Sequence, residues 1–401
     1  MRDEKEALPG NMGDALDWYI KEADSGLAVY QLNVGRMYYQ GIGVPESKVE
    51  AAKWYRKAAD LGNVTAQFNL GVMYHQGDGV LANKEEAVKW HKLAADQGDA
   101  SAQFNLGYMY DSGQCVPENK AEAVKWYRKA ADQGKVNAQH NLGNLYFRGE
   151  GIPENKGEAA NWYRKAAEQG DYDCQFSLGV MYDRGDGVDK NDWEAASWYR
   201  KVGDQGHAAA QFNLGNMCLK GRGVPESIKE AAMWYRLAAD QGFANAQANL
   251  GVMYAKGEGV DRDNVKAYKW WNLAAAQGHA DAQQNKKRIA PHMTSEQIAE
   301  AQRLSVEWKR SETMVTVEDQ VLLELISSAI QVGHRAYPQD AYMHRNCVMG
   351  SLKGMAGDAL VEIPLSHFGL RMREAIDLFS VVSSTESLVK DLADRWARKI
   401  R

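Results

Sequence analysis

The sequence predicts an all-α protein, a right-handed α/α superhelical solenoid of 36-residue helix-turn-helix repeats with a capping helix and a small, mostly helical C-terminal domain. Three observations predict it. Trp18, Trp54, Trp90, Trp126, Trp162, Trp198, Trp234 and Trp270 are spaced by thirty-six residues without insertion. A glycine follows each tryptophan by eight residues, from Gly26 to Gly278, and a glutamine follows that glycine by five, from Gln31 to Gln283. Between these markers apolar residues recur at helical spacing, and a fixed period of this kind marks stacked supersecondary units.

One unit shows what the period builds. In residues 65–77, Ala66, Leu70, Met73 and Tyr74 form one apolar stripe and predict a first helix, A. Gly71 lies on that stripe, as do Gly35, Gly107, Gly143, Gly179, Gly215 and Gly251 in the other units. Glycine inside a helix costs up to about 1 kcal/mol relative to alanine, so its recurrence predicts that two backbones approach closely there. A glycine-rich loop follows, and residues 85–98 predict a second helix, B, with Ala87, Trp90, Leu93 and Ala94 on one face and Gly98 as a left-handed cap. Neither helix buries its apolar face alone, whereas stacked neighbours make a continuous core. Seven full units run from about residue 27 to residue 278, preceded by a lone helix B near residues 14–26.

After Gly278 the pattern decays. Lys287 stands where the packing glycine belongs, so stacking is expected to stop. Thr294 and Gln297 are placed as a capping box for a long helix with Ile298, Ala301, Leu304 and Trp308 as its apolar stripe. The expected organisation is an N-terminal tail at 1–13, repeats at 14–290, a capping helix at 291–310 and an unrecognised module at 311–401. In that module residues 316–332 read as an apolar helix, 358–365 as a short strand, and 369–382 and 384–400 as helices.

Composition narrows the function classes. The chain of 401 residues is 45% hydrophobic and 25% charged, with a net charge of −5, the balance of a soluble globular protein. No bulk positive field favours nucleic acid or an anionic membrane. The polar N-terminus lacks the apolar stretch of about 7–15 residues found in a secretory leader, and no run reaches the roughly twenty apolar residues of a membrane span. Cys115, Cys174, Cys218 and Cys347 are scattered without metal-ligand or redox spacing. Together these features predict a cytoplasmic protein, unless a leader preceding Met1 has been removed; export as an effector stays open.

The pattern A-x-x-x-L-G-x-x-Y-x-x-G-x-G-V, followed by A-x-x-W-Y-x-x-A-A-x-x-G, resembles the Sel-one-like repeat, a relative of the tetratricopeptide repeat with a longer inner loop. The resemblance covers about two thirds of the chain; Cys115 departs from it at a loop glycine, Cys174 at the helix A alanine and Cys218 at the tyrosine. It implies an adaptor that assembles other proteins, as members do in bacterial signalling, envelope and host-interaction settings. Function must still be argued from the binding face.

By the tetratricopeptide analogy the concave face is lined by helix A residues that point away from the stripe. Asn33, Asn69, Asn105, Asn141, Asn213 and Asn249 form an asparagine ladder there, able to grip a peptide backbone through carbonyl and amide together or to serve the repeat's own hydrogen bonding. Two further rows vary while the framework repeats. One holds Arg36, Tyr108 and Asn144, and the next holds Tyr39, His75, Asp111 and Phe147. Residues that vary in this way face solvent or a ligand, and Tyr39, Tyr108 and Phe147 are the candidate anchors.

No cofactor or metal is expected. His334, His344, Cys347 and His367 are the only loose grouping of ligand types, and H-x-x-C alone is a weak signal. No G-x-S-x-G, S-x-x-K or phosphate-binding loop occurs in the right context, so no catalytic residues are assigned. Relatives linked to β-lactam binding carry paired cysteines in each repeat, which this chain lacks. The basic end RWARKIR complements its own helix dipole or touches an acidic surface. The leading expectation is a non-catalytic scaffold that binds a partner protein or peptide. The alternatives are a repeat arm targeting a catalytic or toxin-related C-terminal module, and self-association through the uncovered end near Trp18 or through that module.

Overall fold

A computed structural model of the protein describes residues 12–309, with side chains from residue 16. The described chain is helical throughout, without strands. The expectations placed on residues 1–11 and 310–401, including the grouping of His334, His344, Cys347 and His367, lie outside the described residues.

The chain divides into two compact units, Met1–Cys174 and Gln175–Arg401. The first contains α1 (Met12–Ala23), α2 (Ala28–Gln40), α3 (Lys48–Asp60), α4 (Val64–Gln76), α5 (Lys84–Asp96), α6 (Ala100–Ser112), α7 (Lys120–Asp132), α8 (Val136–Arg148) and α9 (Lys156–Glu168). The boundary falls inside α10 (Tyr172–Arg184). The second unit continues with α11 (Asp192–Gly203), α12 (Ala208–Lys220), α13 (Ile228–Asp240), α14 (Ala244–Lys256), α15 (Asn264–Ala276) and α16 (Ala280–Ile289), then a 3-10 turn and a helix, α17, over residues 295–309. Even-numbered helices from α2 are A helices and odd-numbered ones from α3 to α15 are B helices. Successive A helices begin thirty-six residues apart, as do successive B helices.

Local chemistry sets the ends. The B helices start on Ser47, Asn83, Asn119, Asn155, Asn191, Ser227 and Asp263, whose side chains accept from the N–H three residues on. The A helices from α2 to α14 end on left-handed glycines such as Gly77, φ 73°. The second loop glycine is needed for space as well: a Cβ on Gly79 would sit 2.3 Å from the Lys48 carbonyl oxygen. Cys115 stands at that loop position with φ 66°, the only non-glycine among the described residues with positive φ. A side chain there costs about 1–2 kcal/mol, and the looser unfolded state of glycine returns part of it. Cys115→Gly is therefore expected to stabilise the protein by about 0.5–1 kcal/mol, read as a higher denaturation midpoint at unchanged slope.

The core alternates small and large residues. Ala66, Leu70 and Met73 of α4 meet Ala51, Ala52, Tyr55, Ala58 and Ala59 of α3 and Trp90 of α5 in one cluster. The stripe glycines admit a ring, which corrects the expectation of backbone meeting backbone. A Cβ on Gly107 would lie 2.5 Å from Tyr127 Cδ1, and one on Gly143 2.6 Å from Tyr163 Cε1. Thus the B-helix aromatic that follows the periodic tryptophan lies flat against a bare patch of helix A. A second correction concerns α5. Leu93 is 40% exposed, and the buried residue beside Trp90 is His91, which takes the place filled by tyrosine in most repeats.

The periodic glutamines form a buried polar ladder. Gln67 Nε2 donates to the Ala59 carbonyl at 3.1 Å and Gln103 Nε2 to that of Ala95 at 3.0 Å, tying each A helix to the end of the preceding B helix. Their Oε1 atoms accept from Gln97 at 2.7 Å and Gln133 at 2.8 Å, thirty residues on. In the second unit Gln211 and Gln241 repeat the pattern. Gln31 breaks it: the donor position holds Leu61, 56% exposed, and Gln31 Oε1 is buried without a partner. Leu61→Gln is expected to supply that donor and stabilise the protein by about 1 kcal/mol, while Gln67→Leu, which removes both the bond to the Ala59 carbonyl and the one accepted from Gln97, costs at least as much in the same denaturation assay.

Beyond the repeats, the Thr294 N–H donates to Gln297 Oε1 at 3.0 Å and the Gln297 N–H donates to Thr294 Oγ1 at 3.2 Å, the reciprocal capping box. Ala301 and Ser305 are buried, and Trp308 meets Trp270 of α15 edge-on with ring centres 6.4 Å apart.

Candidate partner-binding face

The helix B tyrosines decide what helix A presents. Each crosses the bare glycine patch, so its hydroxyl emerges among the variable rows. Tyr127 OH donates to Asp111 Oδ2 at 3.3 Å, and Tyr163 OH donates to Asn144 Oδ1 at 2.7 Å. The asparagine ladder meets the same hydroxyls from the next repeat, Asn69 against Tyr55 and Asn141 against Tyr127. In the second unit Asn213 and Asn249 pair in this way with Tyr199 and Tyr235. Burial pushes the Tyr55 phenol up to about 12 and Tyr127 higher, so these groups stay protonated donors. Four of the six ladder asparagines therefore bind their own scaffold. Asn33 and Asn105 are half-buried, and the B-helix residue at the register of Asn105 is His91.

The anchor candidates differ in availability. Tyr39 is half-buried: its OH donates to Asp78 Oδ2 at 3.1 Å, and its ring centre lies 6.4 Å from that of Tyr55. Lys48 stands over that ring at 5.7 Å and pairs with Asp78 at 2.9 Å. Phe147 is also half-buried, tilted on Tyr163 at 6.5 Å with Lys156 Nζ 5.3 Å above it. Tyr108 is 43% exposed. Arg36 and His75 are exposed, and Asp111 accepts from Lys120 Nζ at 2.9 Å. The first unit thus gathers Arg36, Tyr39, His75, Tyr108, Asp111, Asn144 and Phe147 on its A-helix rows. Trp193 of the second unit, 64% exposed at the start of α11, was not singled out by the sequence, because it stands outside both repeat-variable rows.

One further cluster in the first unit has the ingredients of a chemical site. His140 Nδ1 lies 3.2 and 3.3 Å from the two Asp171 oxygens, and Asp171 Oδ1 accepts from the Cys174 N–H at 2.8 Å. Burial opposes charge on Asp171, but hydrogen bonds from His140 and Cys174 hold it down at about 2. The same hydrogen bond raises His140, while burial pushes the Cys174 thiol well up. Separations of 31 and 34 residues from His140 hide this grouping from any local motif.

Tandem helix pairs with an invariant glutamine ladder and glycine-seated aromatics define a helical-repeat protein whose variable rows lie on helix A. The chain belongs to the Sel1 repeat family: the Sel1 repeat matches residues 28–63, 64–99, 100–135, 136–171, 173–207, 208–243 and 244–279. Members are generally protein-interaction scaffolds without catalytic activity. Among solved structures it is similar to c5321, a protective antigen present in uropathogenic Escherichia coli strains and displaying an SLR fold. There the identity is 37% over 74% of this chain and 64% of that one, with a TM-score of 0.57. The chain thus spans just under two thirds of that protein. It is also similar to a Sel1 repeat protein from Oxalobacter formigenes, 35% identical over 69% of this chain and 80% of that one, TM-score 0.51. No curated protein matches. Among the described residues no helix is long and apolar enough to cross a membrane.

Proposed function

We propose that the protein is a non-catalytic scaffold that binds a partner protein or peptide on the A-helix face of its first unit, with Tyr108 as the central anchor. The observation that carries this reading is an aromatic side chain left 43% exposed on a row whose residues change from repeat to repeat, while the framework beneath it does not change. A tyrosine offers a large contact area at small entropic cost, and such residues dominate interface energies. Around it Arg36, His75 and Asn144 supply polar and charged contacts, and the tyrosine-bound asparagines hold the rows in place.

Tyr108→Ala removes exposed surface without opening the core. It is expected to change stability by less than about 0.5 kcal/mol and to weaken partner capture at least tenfold, a loss of about 1.4 kcal/mol or more. Tyr39→Ala and Phe147→Ala are less clean, because each also removes packing against a buried tyrosine. Undiminished capture by Tyr108→Ala, measured beside its melting curve, would remove this face from the binding site.

A further inference from the structure

We propose that His140, Asp171 and Cys174 form a site for one divalent cation of the zinc class, held by an imidazole nitrogen, a carboxylate oxygen and a thiolate, with a fourth position open to solvent. The three ligand atoms all lie within 4.8 Å of one another. Bonds of about 2.0–2.3 Å to nitrogen, oxygen and sulfur place tetrahedral ligands about 3.3–3.8 Å apart, so closing on an ion needs only a small contraction. His140 Nδ1 and Asp171 are already at 3.2 Å.

The residue choice points the same way. At the register of His140 the repeats on either side carry Phe104 and Phe176, and at that of Cys174 the preceding repeats carry Ala66, Ala102 and Ala138. Both framework departures fall at one place, beside the same carboxylate. Capping of α10 accounts for Asp171, as it does for Asn63 at α4 and Asp99 at α6, but capping asks nothing of positions 140 and 174. Cys174 is buried, whereas the side chains of His140 and Asp171 remain 24% and 14% exposed, which leaves a route for the ion and for water at the fourth position.

Charge also balances. On binding, the thiol proton leaves to solvent and a sulfur–metal bond forms, the imidazole binds neutral through Nδ1, and thiolate plus carboxylate cancel the two positive charges. The ion would clip α8 to the start of α10, two consecutive A helices.

The test is titration of the full-length, metal-free chain with Co²⁺, followed by displacement with Zn²⁺. One equivalent of Co²⁺ should give a thiolate-to-cobalt charge-transfer band and tetrahedral d–d bands, both lost on adding Zn²⁺. His140→Phe and Cys174→Ala install residues that neighbouring repeats carry at these positions. Each should abolish the band or weaken Co²⁺ binding more than about 100-fold at an unchanged helical spectrum. Absence of the band in the wild type would reduce the cluster to a helix cap with an ion pair and overturn the proposal. So would a band that survives both substitutions, which would place the metal on another thiol.

Discussion

Gly107→Ala is expected to destabilise the protein by about 2 kcal/mol, although the same change at an ordinary helical position stabilises by up to about 1 kcal/mol. The added methyl would lie 2.5 Å from Cδ1 and 2.7 Å from Cε1 of Tyr127, a ring buried on all sides whose hydroxyl is tethered to Asp111. The ring cannot swing away without losing that bond and its packing, so α6 and α7 must separate. The cost at Gly71 should be smaller, because the facing atom is Nδ1 of an untethered His91 at 2.9 Å. Urea denaturation of the two variants tests both the sign and the order. Stabilisation by Gly107→Ala would mean that the ring does not sit on this glycine.

Acid is expected to weaken the protein through His91. Its ring is fully buried with neither nitrogen partnered, and burial, helped by the nearby His75, lowers its pKa from 6.5 to about 4. The unfolded chain takes up a proton below pH 6.5 that the native state refuses until about pH 4, so stability present above the unfolded value is lost as pH falls across that window. The loss is about 3 kcal/mol at 1.4 kcal/mol per pH unit. His140 acts in the opposite sense: its pKa is raised by the Asp171 bond, so its contribution is fully present at low pH and lost as pH rises through its folded value. Comparison with His91→Tyr, which restores the residue most repeats carry, isolates the His91 term. The variant should be the more stable form at pH 5 by more than it is at pH 8. Parallel stability profiles would show that His91 does not titrate with folding.

These two sites show how far the sequence is legible. Period, loop glycines and the Thr294–Gln297 box are local signals, and helix starts, caps and repeat count follow from them directly. The stripe glycine signalled a close approach, but spacing along one helix cannot say whether a backbone or a ring fills the gap. Tyr127 lies twenty residues away on the next helix. Leu93 looked like a core residue on hydrophobicity alone. The register of α5 against α4 instead turns residue 91 inward, and a histidine there carries no apolar signal.

The candidate face divides in the same way. The varying rows are visible in the sequence because variation against a fixed frame needs no structure to detect. That four ladder asparagines are engaged by Tyr55, Tyr127, Tyr199 and Tyr235 depends on tyrosines from the preceding repeat, beyond any local spacing. The glutamine ladder was visible as periodicity but not as a mechanism, since its donors come from thirty residues further on.

The most direct test of the scaffold account places a benzophenone amino acid at position 108, and in a second variant at Lys125, an exposed α7 residue paired only with the neighbouring Glu122. Irradiation in the native host should yield a covalent adduct with a distinct protein from position 108 and none from position 125. Failure to crosslink at 108, or equal adducts from both positions, would contradict a binding face on the A helices of the first unit.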